Sequence, residues 1–178
     1  VDGGTLRLDG GDFKAFTTTQ IDSGLLWVNG GKYVSVGTTA VDGGTLRVDG
    51  DKYRARGATT VDGGTLVIND TGIFRAEADV TVTTGLIRLN TGGKLNLIDA
   101  GGDTDLFVNG GRMVVLGGLV QTESNITVQT AGLLWVKDGG IVNNGDPGNV
   151  AVETSVLAGG VLRIDNALYK SHGTTTVN

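Results

Sequence analysis

Four consecutive blocks of the chain open alike, twenty residues apart: Val1-Asp2-Gly3-Gly4-Thr5-Leu6, Ile21-Asp22-Ser23-Gly24-Leu25-Leu26, Val41-Asp42-Gly43-Gly44-Thr45-Leu46 and Val61-Asp62-Gly63-Gly64-Thr65-Leu66. A fixed period of this length marks a solenoid, in which each repeat is one turn and buries its apolar side against its neighbours. The Leu-x-hydrophobic-Asx signature continues at Ile87-Arg88-Leu89-Asn90, Leu106-Phe107-Val108-Asn109, Leu134-Trp135-Val136 and Leu162-Arg163-Ile164-Asp165. Anchors therefore stand at 6, 26, 46, 66, 87, 106, 134 and 162, with gaps of 20, 20, 20, 21, 19, 28 and 28 residues, or about eight coils.

Each block holds three short alternating segments, the period of half-buried strands. In the third block they are residues 45–49, 52–56 and 59–61, with Gly43, Gly44, Gly50 and Gly57 between them. Three strands and three corners in about twenty residues describe one turn of a single-stranded parallel β-helix, an all-β, three-sided β-solenoid. Right-handed coils are expected, and the chain 1–178 reads as a single domain. A sandwich is the competing arrangement, but near-identical coils argue against it, because sequential strands of a sandwich meet different surroundings. Two inward columns follow the anchors, Leu6 to Leu162 and Leu8 to Ile164. A second side is expected to carry Phe13, Tyr33, Tyr53, Leu95, Met113 and Ile141, with small residues such as Ala15, Ser35 and Ala55 behind them. The long gaps predict enlarged coils with loops at 117–131 and 143–155, the second built on the turn-forming run Asn143 to Asn149, with the lone proline.

Glycine makes up 32 of 178 residues, yet there is one proline and no cysteine, which excludes collagen, disulfide stapling and thiolate metal sites. The net charge is −5 and the lysines and arginines are scattered singly, so no nucleic-acid partner is expected. No apolar run reaches the length of a membrane span, so no membrane insertion is expected either. The chain opens on Val1 with no signal-peptide pattern and reads as processed or cut from something larger.

The run Thr59-Thr60-Val61-Asp62-Gly63-Gly64-Thr65-Leu66-Val67-Ile68-Asn69 resembles the autotransporter-associated β-strand repeat, and the chain as a whole is similar to autotransporter and filamentous-haemagglutinin-type passenger β-helices. The likeness is strongest over residues 1–110. It implies a right-handed β-helix at the bacterial surface or outside the cell, serving as adhesin or scaffold. The twenty-residue spacing is shorter than that usual between such repeats, and phage tail fibres and spikes use similar coils, so a virion is the alternative location.

Two polar columns and one mixed column are the candidate sites. Asp9, Asn29, Asp49, Asn69, Asn90, Asn109 and Asp165, interrupted at Lys137, form an Asx corner ladder, since Asn and Asp accept corner geometry and stacked amides bond one another. Calcium is the alternative reading of that ladder, although the glycine-rich nonapeptide of calcium-binding β-rolls is absent. Asp2, Asp22, Asp42 and Asp62 form a second acidic column at the Gly-Gly corner, which Asn178 would resume. The outward position between the core residues reads Arg7, Trp27, Arg47, Val67, Arg88, Phe107, Trp135 and Arg163, a face suited to stacking on glycans or on another subunit. Threonine clusters invite an ice-binding reading, but coils four to seven interrupt them. Catalysis has little support: His172 is the single histidine, and the carboxylate pairs Asp103/Asp105 and Asp146/Glu153 are of a kind any acidic surface offers. The sequons at Asn69 and Asn125 matter only in a glycosylating host.

The two ends lie in phase, Val1-Asp2 at one corner and Val177-Asn178 at its equivalent. The expectation is a non-enzymatic structural module, a stalk, filament or adhesin without cofactor, that associates with itself end to end or side by side. The alternative is a carbohydrate-binding or carbohydrate-cleaving spike.

Overall fold

In the computed structural model, which describes residues 1–98, 104–145 and 152–178, every regular element is a β-strand and every pairing is parallel. Pairing partners lie one coil apart: Leu6 opposite Leu26, Leu26 opposite Leu46, Leu46 opposite Leu66. The chain is thus a β-solenoid of eight coils with three faces.

Face one runs through the first halves of β1 (Thr5–Ala15) and β3 (Leu25–Ser35), then β5 (Thr45–Val48), β8 (Thr65–Ile68), β11 (Leu86–Leu89), β14 (Arg112–Leu116), β17 (Leu133–Lys137) and β20 (Val161–Asp165). Face two takes the second halves of β1 and β3, then β6 (Lys52–Ala55), β9 (Ile73–Ala76), β12 (Lys94–Leu97), β15 (Leu119–Thr122), β18 (Ile141–Asn144) and β21 (Leu168–Ser171). Because β1 and β3 turn that corner unbroken, the two faces form one continuous sheet. Face three is separate: β2 (Thr19–Ile21), β4 (Thr39–Val41), β7 (Thr59–Val61), β10 (Val80–Val82), β13 (Leu106–Val108), β16 (Ile126–Val128), β19 (Glu153–Val156) and β22 (Thr174–Val177).

Register corrects the sequence reading at the sixth coil, while Leu134 and Leu162 hold their expected places on face one. Leu106 pairs with Val80 and Ile126 on face three, whereas Met113 takes the place opposite Ile87 and Leu134 on face one. Phe107 and Asn109 leave face one with it. The cause is extra chain between Leu97 and Leu106, which carried the next apolar-x-apolar triplet onto a different face. All three faces share the same in-out alternation, so the triplet alone does not identify its face. The second enlargement lies between Asn144 and Glu153, within the expected 143–155 stretch and at the same corner, between faces two and three. The expected loop at 117–131 is not found; β15 and β16 fill it, and that coil is of ordinary length. On face two the inward column is Phe13, Tyr33, Tyr53, Phe74, Leu95, Val120, Val142 and Tyr169, while Ile141 points outward.

The corner before face one explains much of the glycine. Gly4, Gly24, Gly44, Gly64, Gly85, Gly111, Gly132 and Gly160 all stand two residues before an inward face-one side chain. A Cβ on Gly44 would lie 2.5 Å from Ile21 Cγ2, and one on Gly64 would lie 2.6 Å from Val41 Cγ1. Close approach of stacked corners, with the next strand's amide bonding the glycine carbonyl (Thr65 N to Gly44 O, 2.9 Å), leaves no room for a side chain. Inside, the apolar columns of coils two to seven are fully buried, and three faces of them fill the lumen without a helix or loop.

An aromatic stack runs along the inward side of face two in the first four coils. Phe13, Tyr33, Tyr53 and Phe74 stack at centroid spacings of 5.0, 4.9 and 5.0 Å, one ring per coil. Each tyrosine hydroxyl reaches a threonine on face three of the preceding coil: Tyr33 to Thr19 at 3.2 Å, Tyr53 to Thr39 at 3.0 Å, Tyr169 to Thr154 at 2.7 Å. Burial opposes phenolate formation and raises the pKa of all three hydroxyls, Tyr169 being pushed up to about 12.

Candidate functional site

The outward column of face one reads, by register, Arg7, Trp27, Arg47, Val67, Arg88, Val114, Trp135 and Arg163. Val114 stands where Phe107 was expected. Each arginine folds back on the Asx two residues along its own strand: Arg7 Nε donates to Asp9 at 2.6 Å, Arg47 to Asp49 at 2.7 Å, Arg88 to Asn90 at 2.9 Å and Arg163 to Asp165 at 2.6 Å. The tryptophans reach one coil further. Trp27 Nε1 donates to Asp49 at 2.8 Å and Trp135 Nε1 to Asp165 at 2.7 Å.

The same pattern therefore occurs twice, a tryptophan bonded to the Arg-x-Asp of the following coil. The Arg47 guanidinium lies 5.0 Å from the Trp27 ring centre, and that of Arg163 lies 4.8 Å from Trp135. Arg7 adds a second cation over Trp27 at 4.2 Å, and Lys137 one over Trp135 at 4.3 Å. Such contacts contribute about 0.5–1 kcal/mol each at exposed positions. Trp27 lies between the arginines of the coils on either side, so a ligand stacking there would displace a guanidinium.

The Asx ladder runs in two bonded stretches, Asp9–Asn29 and Asp49–Asn69–Asn90. Asn29 Nδ2 donates to Asp9 at 3.0 Å, Asn69 Nδ2 to Asp49 at 2.6 Å, and Asn90 Nδ2 to Asn69. Amide donors thus alternate with carboxylate acceptors, which removes the repulsion of stacked acids. Leu116 and Lys137 break the ladder before Asp165 resumes it. Asn109 is not a member: its amide bonds Val82 O at the corner after face three, the level of Asp42 and Asp62. Burial acts to raise the Asp49 carboxyl, but hydrogen bonds from Arg47, Asn69 and Trp27 outweigh it and hold the group below the ordinary carboxylate range. Asp9 is lowered too, by Asn29 and then Arg7. With their oxygens engaged in this way, the ladder carboxylates are committed to their neighbours, and among the described residues no group of three or more His, Asp or Glu converges as a metal site.

A second capping column escaped the sequence reading. Asp79 Oδ1 accepts from the Asp105 amide at 2.9 Å, Asp105 Oδ1 from the Asn125 amide at 3.0 Å, and Asn125 Oδ1 from the Glu153 amide at 2.8 Å. Side chains there tie the start of each face-three strand to the next coil. Two of the candidate residues, Asp105 and the Asn125 sequon, therefore have structural partners, and Asn69 has its ladder bond. Asp103 and Asp146, the other members of the carboxylate pairs, lie outside the described residues. The face-three outward column reads Gln20, Ala40, Thr60, Thr81, Phe107, Thr127, Ser155 and Thr176, so threonine does not run unbroken along it.

Two shallow grooves lie on this side among the described residues, one of about 610 Å³ over Leu25, Thr45, Arg47, Val67 and Arg88, the other beside Trp135. The groove beside Trp135, about 590 Å³ in volume, is lined by Leu86, Arg112, Val114, Leu133 and Trp135 and by the glycine corner at Gly64, Gly85 and Gly110. The small Val114 between Arg88 and Trp135 and the bare corner beside it open the space.

No protein-family model matches the chain, and no curated protein matches it. Among solved structures, the crystal structure of a TibA fragment hyper-glycosylated by TibC is similar over 99% of this chain and 96% of that one, at 15% identity and a TM-score of 0.23. A likeness of that size identifies no shared family.

Proposed function

We propose that the chain is a non-catalytic structural module of the cell surface or extracellular space, a segment of stalk, filament or adhesin, whose coils pack end to end against further β-solenoid coils such as those of a second copy. The observation that carries the reading is the apolar cross-section shown at both ends of the stack. Leu6 and Phe13 are 38% and 41% exposed in the first coil, and Ile164 and Val177 are 46% and 73% exposed in the last, although their equivalents in the middle coils are buried. The outer edges of the first and last strands on each face also lack a pairing partner among the described residues. Unpaired edges over an open apolar core favour addition of another coil. The end contact is heterologous, so repetition gives a filament rather than a closed dimer.

Electron microscopy and sedimentation at rising concentration test this. Eight coils at a strand spacing of ~4.8 Å make a rod of about 40 Å, and the expected particles are rods in multiples of that length. Val177→Glu should return them to single rods. Single rods of the wild type at every concentration would overturn the end-to-end contact.

Glycan binding is the second reading, favoured by the groove beside Trp135: an aromatic ring and apolar strip with the Arg112 guanidinium at hand suit a sugar ring. Binding on a glycan array that is lost in Trp135→Ala but kept in Trp27→Ala would support it. A reducing-sugar assay with the bound glycan separates binding from cleavage.

A further inference from the structure

Residues scattered singly along a solenoid sequence become columns when the coils stack. On face two the outward row Asp12, Lys32, Lys52, Ile73, Lys94 lies beside the row Lys14, Val34, Arg54, Arg75, Asn96. Arg56 extends the second row's strand. Through the first five coils this face carries lysine and arginine against two carboxylates, Asp12 and Glu77, in a chain whose net charge is −5. Glu77 is already shared: Arg54 binds it at 2.7 and 3.0 Å, Arg75 Nε lies 3.0 Å from it, and Arg56 stands at 4.0 Å. One carboxylate among three guanidinium groups leaves the strip strongly positive. Asp51 and Asp70 stand at the corner bounding it toward face one, and the later outward residues Gln121 and Asn143 carry no charge.

The opposite charge stands elsewhere on the same coils. Asp2, Asp22, Asp42 and Asp62 form an exposed row at the corner between faces three and one. Their hydrogen-bond donors are neutral: Gln20 to Asp22 at 2.8 Å, Ser23 to Asp2 at 2.8 Å and Thr84 to Asp62 at 2.7 Å. No ion pair reaches them among the described residues. A cationic strip and an acidic row thus share one pitch and span the first four coils, the strip with cations in excess and the row without an ion pair among the described residues.

We infer that face two docks the acidic corner of a second copy lying alongside and parallel, so that Lys32, Lys52 and Arg75 of one molecule meet Asp22, Asp42 and Asp62 of the next. Parallel alignment without offset brings the full rows together, and the common coil spacing repeats each ion pair one step on. Single exposed pairs contribute about 0–1 kcal/mol, so the repetition along the row supplies the affinity. A nucleic acid fits less well, because face two offers neither a groove-filling element nor a row of exposed aromatics for stacked bases. The contact joins two different surfaces, so it closes into a ring or extends as a raft. It does not depend on the end-to-end packing proposed above.

Sedimentation velocity of the full chain separates the two. Lateral association should grow at low ionic strength and vanish at about 0.5 M salt, where charges are screened within a few ångströms, whereas apolar end packing should persist there. K32E/K52E and D22K/D42K, each confirmed folded by circular dichroism, should each weaken salt-sensitive association by roughly tenfold or more. An equal mixture of the two variants should restore it, because each then offers the other a complementary row. A mixture that stays dispersed, a wild type that does not associate at low salt, or association indifferent to salt would overturn the inference. So would equal salt-sensitive association by D22K/D42K alone.

Discussion

Replacing Phe74 with tyrosine should stabilise the solenoid. Thr59 is 1% exposed and its hydroxyl has no hydrogen-bond partner among the described residues. In the neighbouring coils that role is filled: the equivalent threonines, Thr19 and Thr39, bond Tyr33 and Tyr53. Farther along, the corresponding pairs are apolar on both sides, Val80 with Leu95, Leu106 with Val120 and Ile126 with Val142, until Thr154 and Tyr169 restore the polar pair. Phe74 opposite Thr59 is thus the mismatch in an otherwise consistent pattern. The Phe74 ring stacks on Tyr53 at 5.0 Å and within 6° of parallel, so a hydroxyl on its para carbon would sit one coil above the Tyr53 oxygen, where Thr59 awaits it. Satisfying a buried hydroxyl is worth about 1–2 kcal/mol. Overpacking would offset that by a similar amount, but the Tyr33 and Tyr53 sites already hold the same group in the same register. For a chain of this size ~1 kcal/mol moves the midpoint by about 2–4 °C. The measurement is a double-mutant cycle by urea denaturation followed by circular dichroism, with F74Y, T59V and the pair. F74Y should stabilise the wild type and lose its benefit in T59V, giving a coupling of about 1 kcal/mol. An F74Y gain of equal size in both backgrounds, or none in either, would refute the argument.

Gly64→Ala should destabilise by about 2 kcal/mol or more, since its Cβ would overlap Val41, whereas Gly4→Ala at the equivalent place in the first coil meets nothing within 4 Å and should stay close to neutral. Thermal melts of the two variants make the comparison. The Asp49 carboxyl is held below its unfolded value, so its contribution is complete above the unfolded pKa and fades as pH falls through the folded one. Asp49→Asn should therefore be less stable than wild type at neutral pH, with the gap between their urea midpoints narrowing once pH drops below about 4; a gap independent of pH would count against the ion-pair account.

The repeat length, the parallel coil stacking and most of the core were legible because one side chain per coil recurs in the same environment. The first four coils keep a strict period, and every column read from them survives. What failed at Leu106 failed for a physical reason. A three-residue strand with its ends inward looks the same on any face, and the extra chain before it changed which face came next. The glycine two residues before each face-one anchor carries the missing information. It precedes Met113 as Gly111 and is absent before Leu106, where residue 104 is threonine. The tyrosine–threonine pairs were legible too, as a recurring separation of fourteen or fifteen residues, but only once the question concerned neighbouring coils rather than neighbouring residues.

The candidate site was harder to read for the same reason. Sequence places Trp27 and Trp135 in a column with arginines, but whether an aromatic ring is open or covered depends on where the next coil's side chain folds. The Arg-x-Asp pairing decides it, drawing each arginine along its strand to its own Asx while its guanidinium lies across the tryptophan of the coil before. The indole N–H then finds the same carboxylate. Face one in its first three coils is thereby closed on itself, as a self-satisfied surface of ion pairs and stacked cations. Face two in the same coils is the reverse, with cations in excess and Glu77 of the fourth coil already shared among three arginines. Two faces of one solenoid, built on the same alternation, differ in whether their charges are answered within the coil stack. That difference arises from a single feature of the sequence: an acid follows the arginine by two residues on face one, whereas on face two that place holds arginine in one coil and glutamate in the next. Lateral contact is therefore expected on face two, and a mutation that completes its pairing from within, Arg56→Glu beside Arg54, should suppress salt-sensitive association without touching the core.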